Sequence, residues 1–362
     1  MKFRLWFHLS SKEVIVLVAA FVIGFVSIFA HRSYRLHQSN AVFAEEQQVL
    51  YLNERTPISV LPRKLDALDI DYDDSELAWA SSVKGWRTFH RGRYELEGGM
   101  SYDDFFRKLA HGLQDPGNVT IIPGTTQEAF AFRVASQMSF ESEDLLEAME
   151  DSTVLAELDI EEHLLFGRML PNTYQMYWTS TPEQFLRRML REFENRVVQP
   201  YEDRMRELGK TPDEIVTLAS IVEWEAKVED EKATISGLYW NRLNNYWRLQ
   251  ADPTVSYAVG DRRRLTYADY RVDHPYNTYL FKGLPPGPVT NPAYSTIRAT
   301  LFPEDHEYYY MVATPEGSHA FSETYAEHQQ RSREWTQWLR EQRMERQRRE
   351  AEAARRAEES GS

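Results

Sequence analysis

The spacing of apolar and polar positions changes several times along the chain, and each change marks an element. Val14 to Ala30, VIVLVAAFVIGFVSIFA, carries no charge over 17 residues, the short end of a bilayer span. Lys2, Arg4 and Lys12 precede it, and His31, Arg32 and Arg35 follow. A cleaved signal peptide is the rival reading. Ile28 is a poor residue three places before a cut after Ala30, so a retained single-pass anchor over 14–30 is expected, with residues 1–13 cytoplasmic. Residues 31–82 are polar and mixed and read as a juxtamembrane stalk or an early strand region. From 83 to 150 the pattern describes a small α+β module. GWRTFHRGRYEL alternates like a strand, and SYDDFFRKLAHGL opens with Ser101 and Asp104 as a capping box. NVTIIP is a second strand, and TTQEAFAFRVASQM a second helix boxed by Thr125 and Glu128. Residues 151–210 read as helices broken at GRMLPNTYQ, and 211–330 as a mixed region dense in aromatics and loops. The tail, 331–362, reads as a charged helix whose Glu and Arg interleave.

One stretch breaks its own pattern. KTPDEIVTLASIVEWEA predicts a helix capped by Thr211, with Pro212 in the first turn and Glu214 completing the box. At about 100° per residue, Ile215, Leu218, Ala219, Val222 and Ala226 share a face. Ile221 and Trp224 cover much of the other side, so the helix is predicted to be buried nearly all round. Glu223 lies on the flank, beside Ala219 and Val216. A carboxylate there is costly unless it has a partner or holds a proton. Either it is structural, paired with an arginine or a helix cap, or it does acid–base work.

Composition narrows the choice. A length of 362 residues allows two or three domains. The net charge of −14 argues against a nucleic-acid partner. The acidic runs at 65–77 and 141–151 read as solvated surface. The chain has no Cys, which removes disulfides, thiolate metal sites and a Cys nucleophile. His111, His163, His274, His306, His319 and His328 show no metal-ligand spacing, so neither metal nor cofactor is expected.

Beyond Glu223, EKATISGLYWNRL is a second amphipathic helix on Ile235, Leu238, Tyr239 and Leu243. The segments that follow make poor core and good cleft wall. Asp252 precedes Pro253, and Pro285, Pro286, Gly287 and Pro288 stiffen a loop. Asn241, Gln250, Asn277 and Asn291 carry amides suited to sugar hydroxyls, while Tyr239, Trp240, Tyr257, Tyr276 and Tyr279 offer stacking faces. Taken singly, each of these is ordinary loop chemistry.

Taken in order, LASIVEWEA, LYWNRL, LQADPTVSYA, YNTY, GLPPGPVTNP and HAFSETYAEH resemble the endolytic murein transglycosylases, the MltG/YceG-like family. The resemblance runs from about Trp86 to Trp338. It departs at Trp224, where that family usually has Lys, and at LFGRMLPNTYQ, a loose version of a tighter LFPDTY-like stretch. It implies an α+β chain with one N-terminal transmembrane helix, a LysM-like module at 83–150 and a catalytic domain at 151–330. It also implies that Glu223 is catalytic, and places Asn241, Gln250, Asp252, Tyr276, Asn277, Tyr279, Asn291 and His319 as the candidate substrate-binding set.

The implied reaction breaks the β-1,4 bond between N-acetylmuramic acid and N-acetylglucosamine without water, leaving 1,6-anhydromuramyl ends and terminating nascent glycan strands. One carboxyl group protonates the leaving oxygen and then takes the proton of the muramyl C6 hydroxyl. Glu225, about 200° round the helix from Glu223, is not placed to share that sugar. The apolar neighbours Val216, Ala219 and Val222 are expected to favour a protonated Glu223 by desolvation. Peptidoglycan strands and membrane-bound synthases are the implied partners, on the outer side of the bacterial inner membrane. Two alternatives are a hydrolytic muramidase using Asp252 as second carboxylate and a non-catalytic wall-binding scaffold.

Overall fold

A computed structural model of the chain describes residues 10–360, with side chains to residue 353. The fold is mixed α+β, as the element pattern predicts. Its contacts divide the chain into one unit of residues 1–118 with 175–180 and another of 119–174 with 181–362. This division falls inside the 83–150 span, at Asn118–Val119.

Helix α1 (Ser11–Leu36) begins where Ser10 and Glu13 cap each other's backbone N–H groups. It is 26 residues long, or about 39 Å at 1.5 Å per residue, enough to cross a hydrocarbon core. Its apolar side chains from Val14 to Phe29 are exposed, Phe21 by 75%. The basic residues Lys2 and Arg4 lie outside the described residues. The helix overruns the apolar stretch and ends docked: the Arg35 guanidinium lies 3.7 Å over the Trp79 ring and pairs with Glu76, and Leu36 is buried in the first core.

Residues 31–82 are therefore folded in the first unit, in the early-strand form of the expectation rather than as a stalk. Strand β1 (Val42–Leu52) is followed by β2 (Thr56–Pro57), helix α2 (Leu61–Asp66), β3 (Asp71–Tyr72), helix α3 (Asp74–Lys84), β4 (Thr88–Phe89), β5 (Gly92–Met100) and helix α4 (Tyr102–Ala110). The sheet order is β3-β1-β5, all antiparallel, with Val42 opposite Met100 and Leu52 opposite Gly92. A register shift between Ala44 and Gln48 loops out the charged stretch of β1. Phe106 centres the core, stacked on Phe89 at 5.4 Å and touching Phe105 at 5.4 Å and Trp86 at 5.8 Å. Strands β6 (Gly117–Ile121) and β7 (Asn172–Met176) pair as a ribbon in which the unit boundary falls.

In the second unit come helices α5 (Gln127–Ala135), α6 (Ser142–Glu150), α7 (Ser152–Leu158) and α8 (Glu162–Leu165), then after β7 α9 (Pro182–Phe193), α10 (Gln199–Leu208), α11 (Pro212–Glu225), α12 (Lys232–Asn244), α13 (Asp252–Val259) and α14 (Tyr294–Leu301). A hairpin, β8 (Tyr310–Ala313) and β9 (His319–Ser322), leads into the long helix α15 (Tyr325–Ser360). The cap of α5 is Thr126, one residue later than the capping pattern suggested. Thr125 is diverted because its N–H and hydroxyl both reach the Asn291 side-chain oxygen and its carbonyl accepts from Thr290. The break at GRMLPNTYQ is a helical turn followed by β7. A Cβ on Gly167 would collide with Pro288 and come within 2.9 Å of Val216, so this glycine lets the proline-rich loop close down on α11.

Candidate active site

Helix α11 is fixed at its start. Thr211 Oγ1 accepts the Glu214 N–H at 3.2 Å and the Glu214 carboxylate accepts the Thr211 N–H at 2.9 Å. Arg168 grips Asp213 with two hydrogen bonds of 2.8 and 2.7 Å. Ile215 to Val222 are then buried without interruption, as the pattern required. Ser220 ties the middle of the helix to the proline-rich loop, donating to the Thr217 carbonyl and accepting the Val289 N–H at 2.9 Å. Glu223 falls in the last turn, before Ala226 leaves the helix in an extended conformation.

Its side chain is 10% exposed and its contacts converge on one oxygen. Oε2 accepts the Ala293 N–H at 3.0 Å and the Thr296 hydroxyl, and the Lys232 ammonium lies 3.7 Å away. Ala293 is the N-cap of α14. The carboxyl group thus takes a place at the positive end of a helix that a capping side chain usually fills. Lys232, 8% exposed, is shared with Glu229 at 2.6 Å and Ser295 at 3.4 Å. The apolar sheath expected around Glu223 exists only along its stem: Val216, Ala219 and Val222 are buried beside the helix, whereas Oε2 meets donors and a cation. With Oε2 so occupied, a proton carried by this group sits on Oε1.

A turn at Gly124 closes the other side. Gly124 has φ +67°, and a Cβ there would lie 3.7 Å from the Glu223 Cγ. Its carbonyl accepts from the Trp224 indole at 3.1 Å and from Arg262 at 2.9 Å, and its N–H reaches the Asn291 carbonyl at 3.0 Å. Arg262 in turn lies 3.7 Å over the Trp224 ring.

The other candidates divide into two groups. Asn277 and Asn291 are both 0% exposed, and their amides are spent on the chain itself. Asn277 donates to the Tyr270 and Val272 carbonyls and accepts from Tyr279, and Asn291 donates to Ile122 and Met169. Asn241 likewise donates to the His306 and Tyr308 carbonyls. These amides build loops instead of meeting sugar hydroxyls. His319 is held by Glu231, its N–H at 2.6 Å and its ring Nδ1 at 3.0 Å. Tyr276 is buried and stacks on Tyr257 at 4.4 Å. Gln250 and Asp252 are exposed. Asp252 accepts from Tyr279 at 2.7 Å and Tyr270 at 3.2 Å, at the edge of a cavity of about 580 Å³. Thr296, Lys232, Gly124, Arg262 and the Ala293 N–H were not singled out from the sequence. Lys232, a charged residue opening a helix whose first ten residues are otherwise uncharged, was the one with a readable signal.

Glu225 belongs to a different neighbourhood. It accepts from the Tyr239 hydroxyl at 3.2 Å. Burial, and then the charge of Asp252, push its carboxyl group up to about 7 from an ordinary 4.5, against the opposing effects of Tyr239 and Arg242. Two carboxyl groups two residues apart thus face separate partners.

A lone carboxyl group fastened at a helix junction, with an indole and a guanidinium beside it, has the chemistry that acid–base work requires. The chain's relatives carry the same inference further. The YceG-like family matches residues 51–334, and the chain belongs to that family. The endolytic murein transglycosylase of Bacillus subtilis (strain 168) is 28% identical over 288 residues, covering 75% of this chain and 80% of the relative. That of Streptococcus pneumoniae serotype 2 (strain D39) is 29% identical over 266 residues, 64% of this chain, and the match spans 48% of the pneumococcal protein. Among solved structures, a yceG-like protein from Listeria monocytogenes superposes with a TM-score of 0.56 at 28% identity, over 79% of this chain and 98% of that one.

Two outcomes follow from the site. Thr296→Val removes a donor from Glu223 Oε2 while keeping shape, and should lower kcat about 10²-fold through misplacement of the carboxyl group. Thr296→Ser should keep most activity. Equal loss in both variants would mean that the hydroxyl is not what positions the acid. The second outcome concerns Glu225. The folded chain binds its proton up to about pH 7, the unfolded chain only to about 4.5. The resulting stability is complete below the lower value and lost as pH rises through the upper one. Glu225→Gln should therefore gain on wild type in urea midpoint between pH 5 and pH 8. A difference independent of pH would show that Glu225 does not titrate in that window.

Proposed function

We propose that the chain is a membrane-anchored endolytic lytic transglycosylase of peptidoglycan, cutting between N-acetylmuramic acid and N-acetylglucosamine to leave 1,6-anhydromuramyl ends. The observation that carries this reading is the single cradled carboxyl group of Glu223. The names of the Bacillus and pneumococcal relatives supply the substrate. In this mechanism Oε1 delivers the proton to the glycosidic oxygen as the bond to C1 breaks. The anion left behind is held by the Ala293 N–H, the Thr296 hydroxyl and Lys232. It then accepts the proton of the C6 hydroxyl as that oxygen closes on C1. Each turnover returns the group to its starting form, so one carboxyl suffices where hydrolases use two.

The muramidase alternative needs a second carboxylate facing the same sugar. Asp252 is engaged by Tyr270 and Tyr279, and among the described residues no contact joins it to Glu223. We read the LysM-like module that the resemblance implies at 83–150, whose part up to Asn118 lies in the first unit, as a positioning element for glycan strands. Cutting strands while they are still attached to membrane-bound synthases would make the enzyme a strand terminase.

Glu223→Gln should retain the folded state and lower release of anhydro ends from purified peptidoglycan by about 10²–10⁴-fold. Anhydro ends at the wild-type rate would end the assignment, and reducing muramic ends from wild type would favour hydrolysis. Topology is testable because the chain has no Cys. A single Cys at Glu316→Cys, in the exposed turn between β8 and β9, should react with a membrane-impermeant thiol reagent in intact cells. Ser11→Cys should react only after the cells are opened. The reverse pattern would put the catalytic unit in the cytoplasm.

A further inference from the structure

The loop after α13 reads Asp261, Arg262, Arg263, Arg264, Leu265, a run of three cations in a chain of net charge −14. The three do different things. Arg263 is the staple: it donates to both oxygens of Asp269 at 2.7 and 2.9 Å. Asp269 is buried and also takes the Thr266 N–H at 2.6 Å and hydroxyl at 2.8 Å. The loop is thereby fixed, and its neighbours on either side of the staple stay exposed. The Arg264 guanidinium makes no ion pair or hydrogen bond among the described residues. It lines the 580 Å³ cavity with Arg263, Thr266, Asp252 and Tyr267, whose ring is 91% exposed.

The Arg262 guanidinium lies 3.7 Å over the Trp224 indole and spends one N–H on the Gly124 carbonyl. Gly124 is also the residue against the stem of Glu223. Glu128 of α5 acts on Arg262 electrostatically. A guanidinium has five N–H donors in a planar fork, and stacking leaves the outer edge of that fork open to a planar anion. An aromatic ring beneath a cation, next to an acid, is a place where substrate is gripped at both an apolar face and a negative charge.

The glycan backbone is neutral, and its regular anions are the carboxylates of the short peptide that each muramic residue carries. We propose that Arg262 on the Trp224 ring forms a subsite for a stem-peptide carboxylate, so that the enzyme selects strands whose muramic residue beside the cut bears a charged peptide. This inference rests on the proposed transglycosylase reading and adds to it a determinant of specificity.

The test uses the full-length protein in detergent and two forms of uncrosslinked glycan strands, one with native stem peptides and one with the stem carboxylates converted to amides. Wild type should cleave native strands with a kcat/KM about tenfold higher, the size of one charge-assisted contact, carried mainly in KM and narrowing as salt is raised. In Arg262→Gln the native-to-amidated ratio should fall towards one, and Arg262→Lys should keep only part of it because a point charge cannot fork. Equal cleavage of both strands by wild type would overturn the subsite while leaving the reaction class intact, because anhydro ends would still form. An Arg262→Gln variant that loses rate equally on both strands would also overturn it, making Arg262 only a latch on the Gly124 turn. If wild type forms anhydro ends from neither strand, the reaction reading itself fails.

Discussion

The second unit depends on how Glu223 is accommodated at the end of a helix that is otherwise buried. Removing a carboxylate from water without partners costs several kcal/mol. Here the start of α14 is brought beneath it, so that one backbone N–H, one hydroxyl and one ammonium group meet Oε2. The junction requires loops that have little tolerance. Asn291 holds both the 122–125 turn and the Met169 carbonyl, Ser220 holds Val289, and Gly167 allows Pro288 to pass. Asn291 and Ser220 are fully buried, and together with Gly167 they fix the loop that delivers Ala293.

Glu223 and Glu225 show how one helix end separates two carboxyl groups. Two residues along an α-helix turn a side chain by about 200°, which places the pair on opposite flanks. On one flank the donors are a helix N-terminus and a lysine. On the other, Tyr239, Arg242 and Asp252 surround a group whose proton is retained to about pH 7. Arg242 is itself buried and donates to the Tyr309 and Leu249 carbonyls, so it stiffens this flank more than it neutralises it. The tyrosines on Asp252 extend the same polar network towards the cavity beneath Arg264.

Local rules made the secondary elements legible. The Thr211 box, the unbroken burial of Ile215 to Val222 and the apolar run ahead of Ala30 all follow from residue type and period. Glu223 could be singled out because it violates its surroundings. Its partners could not, since a backbone N–H has no sequence signature and Thr296 lies 73 residues away. The amides present a related case. Asn241, Asn277 and Asn291 look alike in sequence whether they face a ligand or satisfy carbonyls, and only the tertiary fold shows them spent on the backbone. Trp224 was legible as a departure from the family's usual lysine. That a guanidinium from residue 262 would lie on its ring was not.

The proposed anchor acquires a different mechanical character from the folded state of residues 31–82. A disordered stalk of that length would let the attached unit roam. Instead α1 continues for six residues past Ala30 before Leu36 enters the first core, and Arg35 is clamped between Glu76 and Trp79. Six helical residues span about 9 Å. Were Val14–Ala30 to span a bilayer, as proposed, the continuous helix would hold the first unit against the headgroups. Its height above the membrane would then be set by helical rise and one cation–π contact, instead of by the entropy of a tether. An enzyme proposed to meet glycan strands as they emerge at the membrane gains from that rigidity, because the strand and the first unit share the same plane of reference.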